Sequence, residues 1–506
     1  MVKVQSPDHS AHLTLIETTV KRLQALSQRS LQAQWHHHQG NLDPTQVHAQ
    51  GPHWPIAPVN PRDHISWGRG QQHLWLWQRI GIPATCGGFE ITGSTLRLGL
   101  TWWADLAEIF VDGQLVQTGD LYDCFTRIPL GEHIQPGDEF TVALHLISPG
   151  HDDGALVRSQ LIYESPDLDP PEPGFVADEI AVLTQYFQAL APEQLTPLAT
   201  VVNALDWSLV HNKTQFQQAL TGLRQQLMPW HDWIKQYQIT CVGHAHLDLA
   251  WLWPVAETWD AAERTFDSVL ALQQDFPELT YTHSSPALFA WLEQHRPALF
   301  AAVQQAVHEG WWTIDAGLWV EPELNTIGGE SLARQILYGQ RYCRDRFGTI
   351  SAIAWLPDSF GFSAQLPQLM SQGGIRCFAT QKLRWNDTTE FPHPLFNWQG
   401  LDGTPLLSLT LPPIGSDVDP VKMAAQGAEW TAKTGCTTAL WLPGMGDHGG
   451  GPTRDMIQQV RRWQRSPFFP QVSFQTMGKF LEEIENHIQP SIQNSKFKIP
   501  FGKDQA

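Results

Sequence analysis

The chain has 506 residues, 42% of them hydrophobic, which is too long for one ordinary domain and rich enough to bury two to four cores. Its formal net charge is −19, from 32 basic and 51 acidic residues, and no Lys/Arg-rich block interrupts it; this argues against nucleic acid or an anionic membrane as a partner. Six scattered cysteines (Cys86, Cys124, Cys241, Cys343, Cys377 and Cys436) form no Cys-x-x-Cys pair, the first 25 residues contain no apolar leader core, and no run of 18 apolar residues occurs, so the expectation is a cytoplasmic protein with reduced thiols.

Residues 1–60 open with a helical pattern from Leu13 to Leu31 and continue as a Pro/His/Gln-rich passage expected to be irregular. His36-His37-His38 lies there and reads as a solvated loop rather than a metal site. Residues 61–166 change to strand patterns: Leu74 to Trp77, Thr95 to Leu100, then Ala107 to Val111 and Gln114 to Val116 on either side of Asp112-Gly113, a hairpin signal. Pro136-Gly137 marks another turn before Phe140 to Ile147. Short strands at this spacing predict a β-sandwich of galactose-binding type, serving either sugar binding or packing. Residues 167–236 begin with the acidic, proline-stiffened linker Asp167 to Gly174 and continue as helical patterns.

Across 237–475 strands and helices alternate. Strand patterns at Ile239 to Val242, Leu279 to Thr282, Trp311 to Ile314, Ile350 to Trp355 and Cys377 to Thr380 are separated by helices at Glu257 to Asp275, Pro286 to Glu309, Gly329 to Phe347 and Gln365 to Gln372. Such repetition predicts an α/β fold with a mostly parallel sheet, open or closed into a barrel, whose active residues sit at the carboxyl ends of strands. Residues 476–506 hold an amphipathic helix containing His487, read as a surface residue, and a polar tail; this stretch reads as the start of a helical middle domain.

Three segments carry chemistry. In Gly243-His244-Ala245-His246-Leu247-Asp248, an extended backbone would put His244, His246 and Asp248 on one face, as for a divalent metal. In Trp355-Leu356-Pro357-Asp358-Ser359-Phe360-Gly361, a tight turn holds Asp358 directly after a strand, as a nucleophile, a ligand or a helix N-cap. In Gly446 to Thr453, only Asp447 and His448 titrate, among glycines that let backbone approach a ligand. The 23 Trp against 7 Tyr add a hint of sugar stacking.

In these segments, together with Trp319-Val320-Glu321-Pro322, Gly329 to Gln335 and Thr380-Gln381-Lys382-Leu383, the chain resembles the glycoside hydrolase family 38 α-mannosidases. The resemblance implies a seven-stranded (β/α) barrel preceded by a β-sandwich, and retaining hydrolysis of terminal α-linked mannose from oligosaccharides with zinc; cobalt suits the same ligands. It implies His246, Asp248 and Asp358 as zinc ligands, Asp358 also as nucleophile, and Asp447 as the acid/base. Trp251 and Phe360 match aromatics lining the sugar subsite, and His244 matches a position outside the metal's direct ligands. Family members are commonly longer, and a further zinc-ligating histidine comes from their later region. The chain is therefore expected to be truncated relative to them, with a complementing C-terminal chain or a homo-oligomer as partner. Two other readings stay open at this level: an inactive fragment or carbohydrate-binding remnant, and an amidohydrolase-like metal hydrolase.

Overall fold

A computed structural model describes residues 7–120, 124–251, 253–445 and 449–488. The chain divides into two compact units: Met1–Asp232 with Arg465–Phe468, and Trp233–Gln464 with Phe469–Ala506. Among the described residues no helix is long and apolar enough to cross a membrane, and Cys86, Cys241, Cys343, Cys377 and Cys436 are buried free thiols.

Among the described residues the first unit contains two five-stranded antiparallel sheets and the short antiparallel pair Thr85–Cys86 with Phe89–Glu90. One joins Gln28–Ser30, Gly154–Glu164, Thr95–Trp103, Phe125–Gly131 and Ile65–Trp67; the other joins His36–Gln39, His73–Gly81, Glu139–Ile147, Leu106–Val111 and Gln114–Gly119. Alternation decides which side chains go inside. Leu96, Leu98 and Leu100 from one sheet meet Leu74, Leu76, Val142 and Leu144 from the other in one buried cluster. The Asp112-Gly113 hairpin is present, with φ of 49° and 79°, the positive pair that a two-residue turn with matching twist requires.

The opening residues differ from their sequence pattern. The first helix spans Pro7–Gln24 and ends before Gln28–Ser30, which is a strand paired with Gln160 to Ile162. His36–Gln39, expected as a solvated loop, is also a strand, paired with Leu74 to Trp77. The imidazoles supply the reason: His36 packs edge-on to Trp77 and His38 stacks on Trp54 at 5.2 Å, so rings that look polar in sequence cover an aromatic sheet face. The helices Pro173–Leu190, Leu195–Asn203 and Lys213–Leu227 complete this unit.

The second unit is built from parallel strands. Gln238–Cys241 pairs with Thr438–Trp441 and Gln471–Phe474; Gly243–His244 leads through Tyr281–His283 to Trp312–Ile314; Ile353–Trp355 leads through Cys377–Thr380 to Pro405–Thr410. One antiparallel edge strand, Leu395–Gln399, follows the loop after Cys377–Thr380. The helix Gly329–Phe347 has the bounds its pattern predicts and closes on Gly348 in the left-handed region. The predicted helix from Pro286 to Glu309 is instead two, Pro286–His295 and Pro297–Glu309, because Pro297 forces Arg296 out of helical backbone (φ −137°, ψ 57°). The apolar faces of the strands and helices form two buried clusters, one around Trp355, Leu409 and Phe480 and one around Leu318, Met370 and Phe378. Strand ends are short, and the segments that follow them carry the polar chemistry.

Candidate active site

His246 and Asp248 lie in the loop after Gly243–His244, Glu321 in the loop after Trp312–Ile314, Asp358 after Ile353–Trp355, and Lys382 after Cys377–Thr380. All are at carboxyl ends of parallel strands, as the alternating pattern predicts. The strand stops at His244, however, so simple two-residue alternation does not aim His244 with the other two. His244 is a strut instead. Its Nδ1–H donates to the carbonyl of Thr282 at 3.1 Å, and its Nε2 accepts the indole N–H of Trp355 at 3.3 Å. Burial pushes its pKa down to about 3, so it stays neutral and its two nitrogens keep these opposite roles.

The loop is held by Thr258, whose hydroxyl uses its full capacity. It donates to Asp248 O at 2.8 Å and accepts from Ala250 N at 3.2 Å and Trp253 Nε1 at 3.1 Å. Ala250 sits at φ 85°, an uncommon conformation for a residue with a Cβ, between Asp248 and Trp251. From the glycine-rich segment, Gly449 N–H donates to His246 O at 3.0 Å; a Cβ there would come within 2.5 Å of Thr265 Oγ1, so the close approach requires glycine. Gly446, Asp447 and His448 lie outside the described residues.

His246, Asp248 and Asp358 converge. One ligand atom from each lies within 4.8 Å of the others, and among the described residues this is the one such grouping. His246 is buried and Asp248 and Asp358 are about one quarter exposed, so the cluster faces an opening. His246 Nε2 is 3.1 Å from Asp248 Oδ1, while its Nδ1 is 3.3 Å from Glu321 Oε1. Burial alone would discharge this imidazole; the carboxylates of Glu321 and Asp248 outweigh it and hold the His246 pKa well above its ordinary value. One imidazole and two carboxylates within that spacing are a donor set suited to a divalent cation such as zinc.

Asp358 does not cap a helix. Its carboxylate pairs with the Lys382 ammonium, which is itself 3% exposed and lies 3.3 Å from the Trp385 ring centroid and 4.2 Å from that of Phe360. Its backbone N–H donates to Glu321 Oε2 at 3.1 Å. The turn is fixed three residues on by Gly361, at φ 73°, where a Cβ would overlap the Asn325 amide that donates to Phe360 O. Phe360 is 49% exposed and Trp251 57%, and both flank the cluster in sequence.

The sequence reading gives no role to Glu321 or Trp385, and sets Lys382, with Gln381, toward the leaving group, whereas its ammonium pairs with Asp358. The signal for Glu321 is its place in a segment following a strand and within a motif that matches as a block. Trp385 carries no such mark. His283, also at a strand end, is not in the cluster: its Nδ1 accepts from Ser284 N at 2.7 Å, and burial lowers its pKa well below the ordinary value. Among the described residues the strand ends therefore bring no histidine pair into the cluster. His487 is exposed, as expected of a surface residue.

Residues 236–499, just over half the chain, match the family described as glycosyl hydrolases family 38 N-terminal domain. The chain belongs to that family. It is similar to "Alpha-mannosidase G" of Dictyostelium discoideum (33% identity over 283 residues, 55% of this chain and 26% of that protein) and to "Alpha-mannosidase 2C1" of Homo sapiens (36% over 262 residues, 51% and 25%). It is also similar to "Alpha-mannosidase" of Saccharomyces cerevisiae, at 41% over 227 residues, 44% and 21%. The matched stretch thus spans about a quarter of the length of these curated relatives.

Proposed function

We propose that this family 38 chain carries the catalytic centre of a retaining α-mannosidase that releases terminal α-linked mannose from oligosaccharides. The convergence of His246, Asp248 and Asp358 carries the reading. The parallel strands of the second unit are read as the seven-stranded barrel of the family, and the antiparallel sheets of the first as a sandwich. The free thiols of Cys86, Cys241, Cys343, Cys377 and Cys436 fit a reducing, cytoplasmic setting.

His246, Asp248 and Asp358 would hold zinc, which when bound supplies positive charge for the sugar hydroxyls and the developing transition-state charge. Asp358 attacks the anomeric carbon with one carboxylate oxygen as the bond from that carbon to the leaving oxygen breaks. Asp447 gives its proton to the leaving oxygen, then takes one from the water that cleaves the glycosyl–Asp358 ester. Lys382 orients Asp358 through their ion pair, and its position against Trp385 and Phe360 fixes the ammonium in turn. Trp251 and Phe360 offer exposed faces for the sugar ring.

Release of nitrophenol from 4-nitrophenyl α-mannoside, by metal-stripped protein with and without added zinc, tests this reading. Zinc-dependent turnover supports it. Folded, zinc-loaded protein that turns over no α-mannoside sinks it for this chain and favours the inactive-fragment reading.

A further inference from the structure

Glu321 belongs to neither the ligand set nor the reacting groups, yet it touches both. It stands in the loop Asp315 to Thr326, its side chain 14% exposed. Oε1 lies 3.3 Å from His246 Nδ1 and 3.4 Å from the Ser284 hydroxyl. Oε2 accepts the backbone N–H of Asp358 at 3.1 Å. One carboxylate therefore links three segments that follow three different strands. We infer that Glu321 is a positioning residue that sets the ring of His246 and the turn of Asp358 together, so that imidazole Nε2 and the Asp358 carboxylate present themselves to one metal ion.

A neutral imidazole has one N–H, and its other nitrogen carries the lone pair a metal needs. A carboxylate is an acceptor only, so Glu321 keeps the proton on Nδ1, and Nε2, 3.1 Å from Asp248 Oδ1, is the nitrogen whose lone pair a metal held by Asp248 and Asp358 would take. The same carboxylate, fixed by Ser284 on one oxygen, removes the freedom of the Asp358 turn through a main-chain bond that no substitution of Asp358 would alter. Glutamine in its place keeps the shape and loses this property. Its single carbonyl oxygen cannot serve both the imidazole N–H and the Asp358 N–H, and its amide presents hydrogens to one of them.

The inference rests on reading the cluster as a metal site, so the experiment separates the two. Zinc affinity is measured by competition with a chromophoric chelator for the wild-type protein and for Asp248→Ala, Glu321→Gln and Glu321→Asp. Ring ¹⁵N NMR of His246 reports which nitrogen carries the proton or the metal. Expected are nearly complete loss of affinity for Asp248→Ala and a fall of about 10–100-fold for Glu321→Gln, with the ring nitrogen pattern of His246 changed and the circular dichroism unchanged. Glu321→Asp, which keeps the charge on a shorter arm, should recover the Nδ1–H pattern and part of the affinity. Glu321→Gln within threefold of wild type with the same ring pattern overturns the inference while leaving the metal site standing. So does a loss as complete as that of Asp248→Ala, which would make Glu321 a ligand. Wild-type protein that binds no zinc, or whose affinity ignores Asp248→Ala, overturns both.

Discussion

Each unit of the chain sets a carboxylate against a cation, and the two arrangements leave different things behind. In the first unit Glu179 is fully buried. Arg224 binds both of its oxygens, at 2.8 and 2.9 Å, and the Ser466 hydroxyl adds a bond at 2.7 Å. Its acceptor capacity is met from within the protein. In the second unit Asp358 pairs with Lys382 but remains 28% exposed, and its carboxylate converges with the His246 imidazole and the Asp248 carboxylate. A buried charge by itself is thus a weak pointer to function; ligand atoms left converging on a common point are a stronger one.

The sharpest break between the two lies in what a neutral substitution does. Asp358→Asn keeps the side chain's shape and should lower kcat for α-mannoside hydrolysis by roughly 10⁴-fold or more, because the attacking group is gone. Its melting temperature should fall less than that of Glu179→Ala, since the asparagine carbonyl can still accept from the Lys382 ammonium. Steady-state kinetics beside calorimetry decides it, and retained turnover would reassign the nucleophile. Glu179→Ala inverts the pattern. It leaves Arg224 and Ser466 without their acceptor, and it should cost about 3–5 kcal/mol in chemical denaturation. Zinc affinity and turnover per folded molecule should not change.

The same contrast explains what could be read in advance. Alternation of side chains gave the two sheets of the first unit, and the β–α rhythm after residue 237 gave the parallel strands and placed His246, Asp248 and Asp358 at their ends. Period and punctuation report burial and turns, and those are local properties. What stayed hidden is non-local. Glu321 and Lys382 matter through groups 75 and 24 residues away (321 − 246 and 382 − 358), and no spacing rule encodes such pairs. His36 to His38 misled for a related reason: imidazole counts as polar in a pattern, yet it packs as an aromatic ring when Trp54 and Trp77 are its neighbours. His244 misled because the strand ended one residue sooner than alternation needed.

A smaller effect tests whether loop support in the second unit acts through geometry. Thr258→Val is nearly isosteric and removes one donated and two accepted bonds that hold Asp248, Ala250 and Trp253. Local destabilisation of about 1–3 kcal/mol is expected, from leaving buried partners unpaired. Faster amide exchange across residues 248–253 and zinc affinity lowered by less than for Glu321→Gln should accompany it. Unchanged exchange would mean that the loop is held by packing rather than by the hydroxyl.

The smallest effect is expected where ion pairing has neither burial nor a ligand behind it. Glu330 and Arg334 face each other one helical turn apart at the start of Gly329–Phe347, with side chains 75% and 53% exposed. Water competes for both charges and salt screens them, so Arg334→Ala should leave stability almost unchanged. Arg224→Ala removes a guanidinium of the same chemistry from Glu179, which has no water to turn to, and should cost several times more. Denaturation of the two variants side by side reads the difference directly. Equal losses would mean that Glu179 reaches solvent or another donor when Arg224 is removed, and the distinction between self-satisfied and ligand-facing charges would lose its structural half.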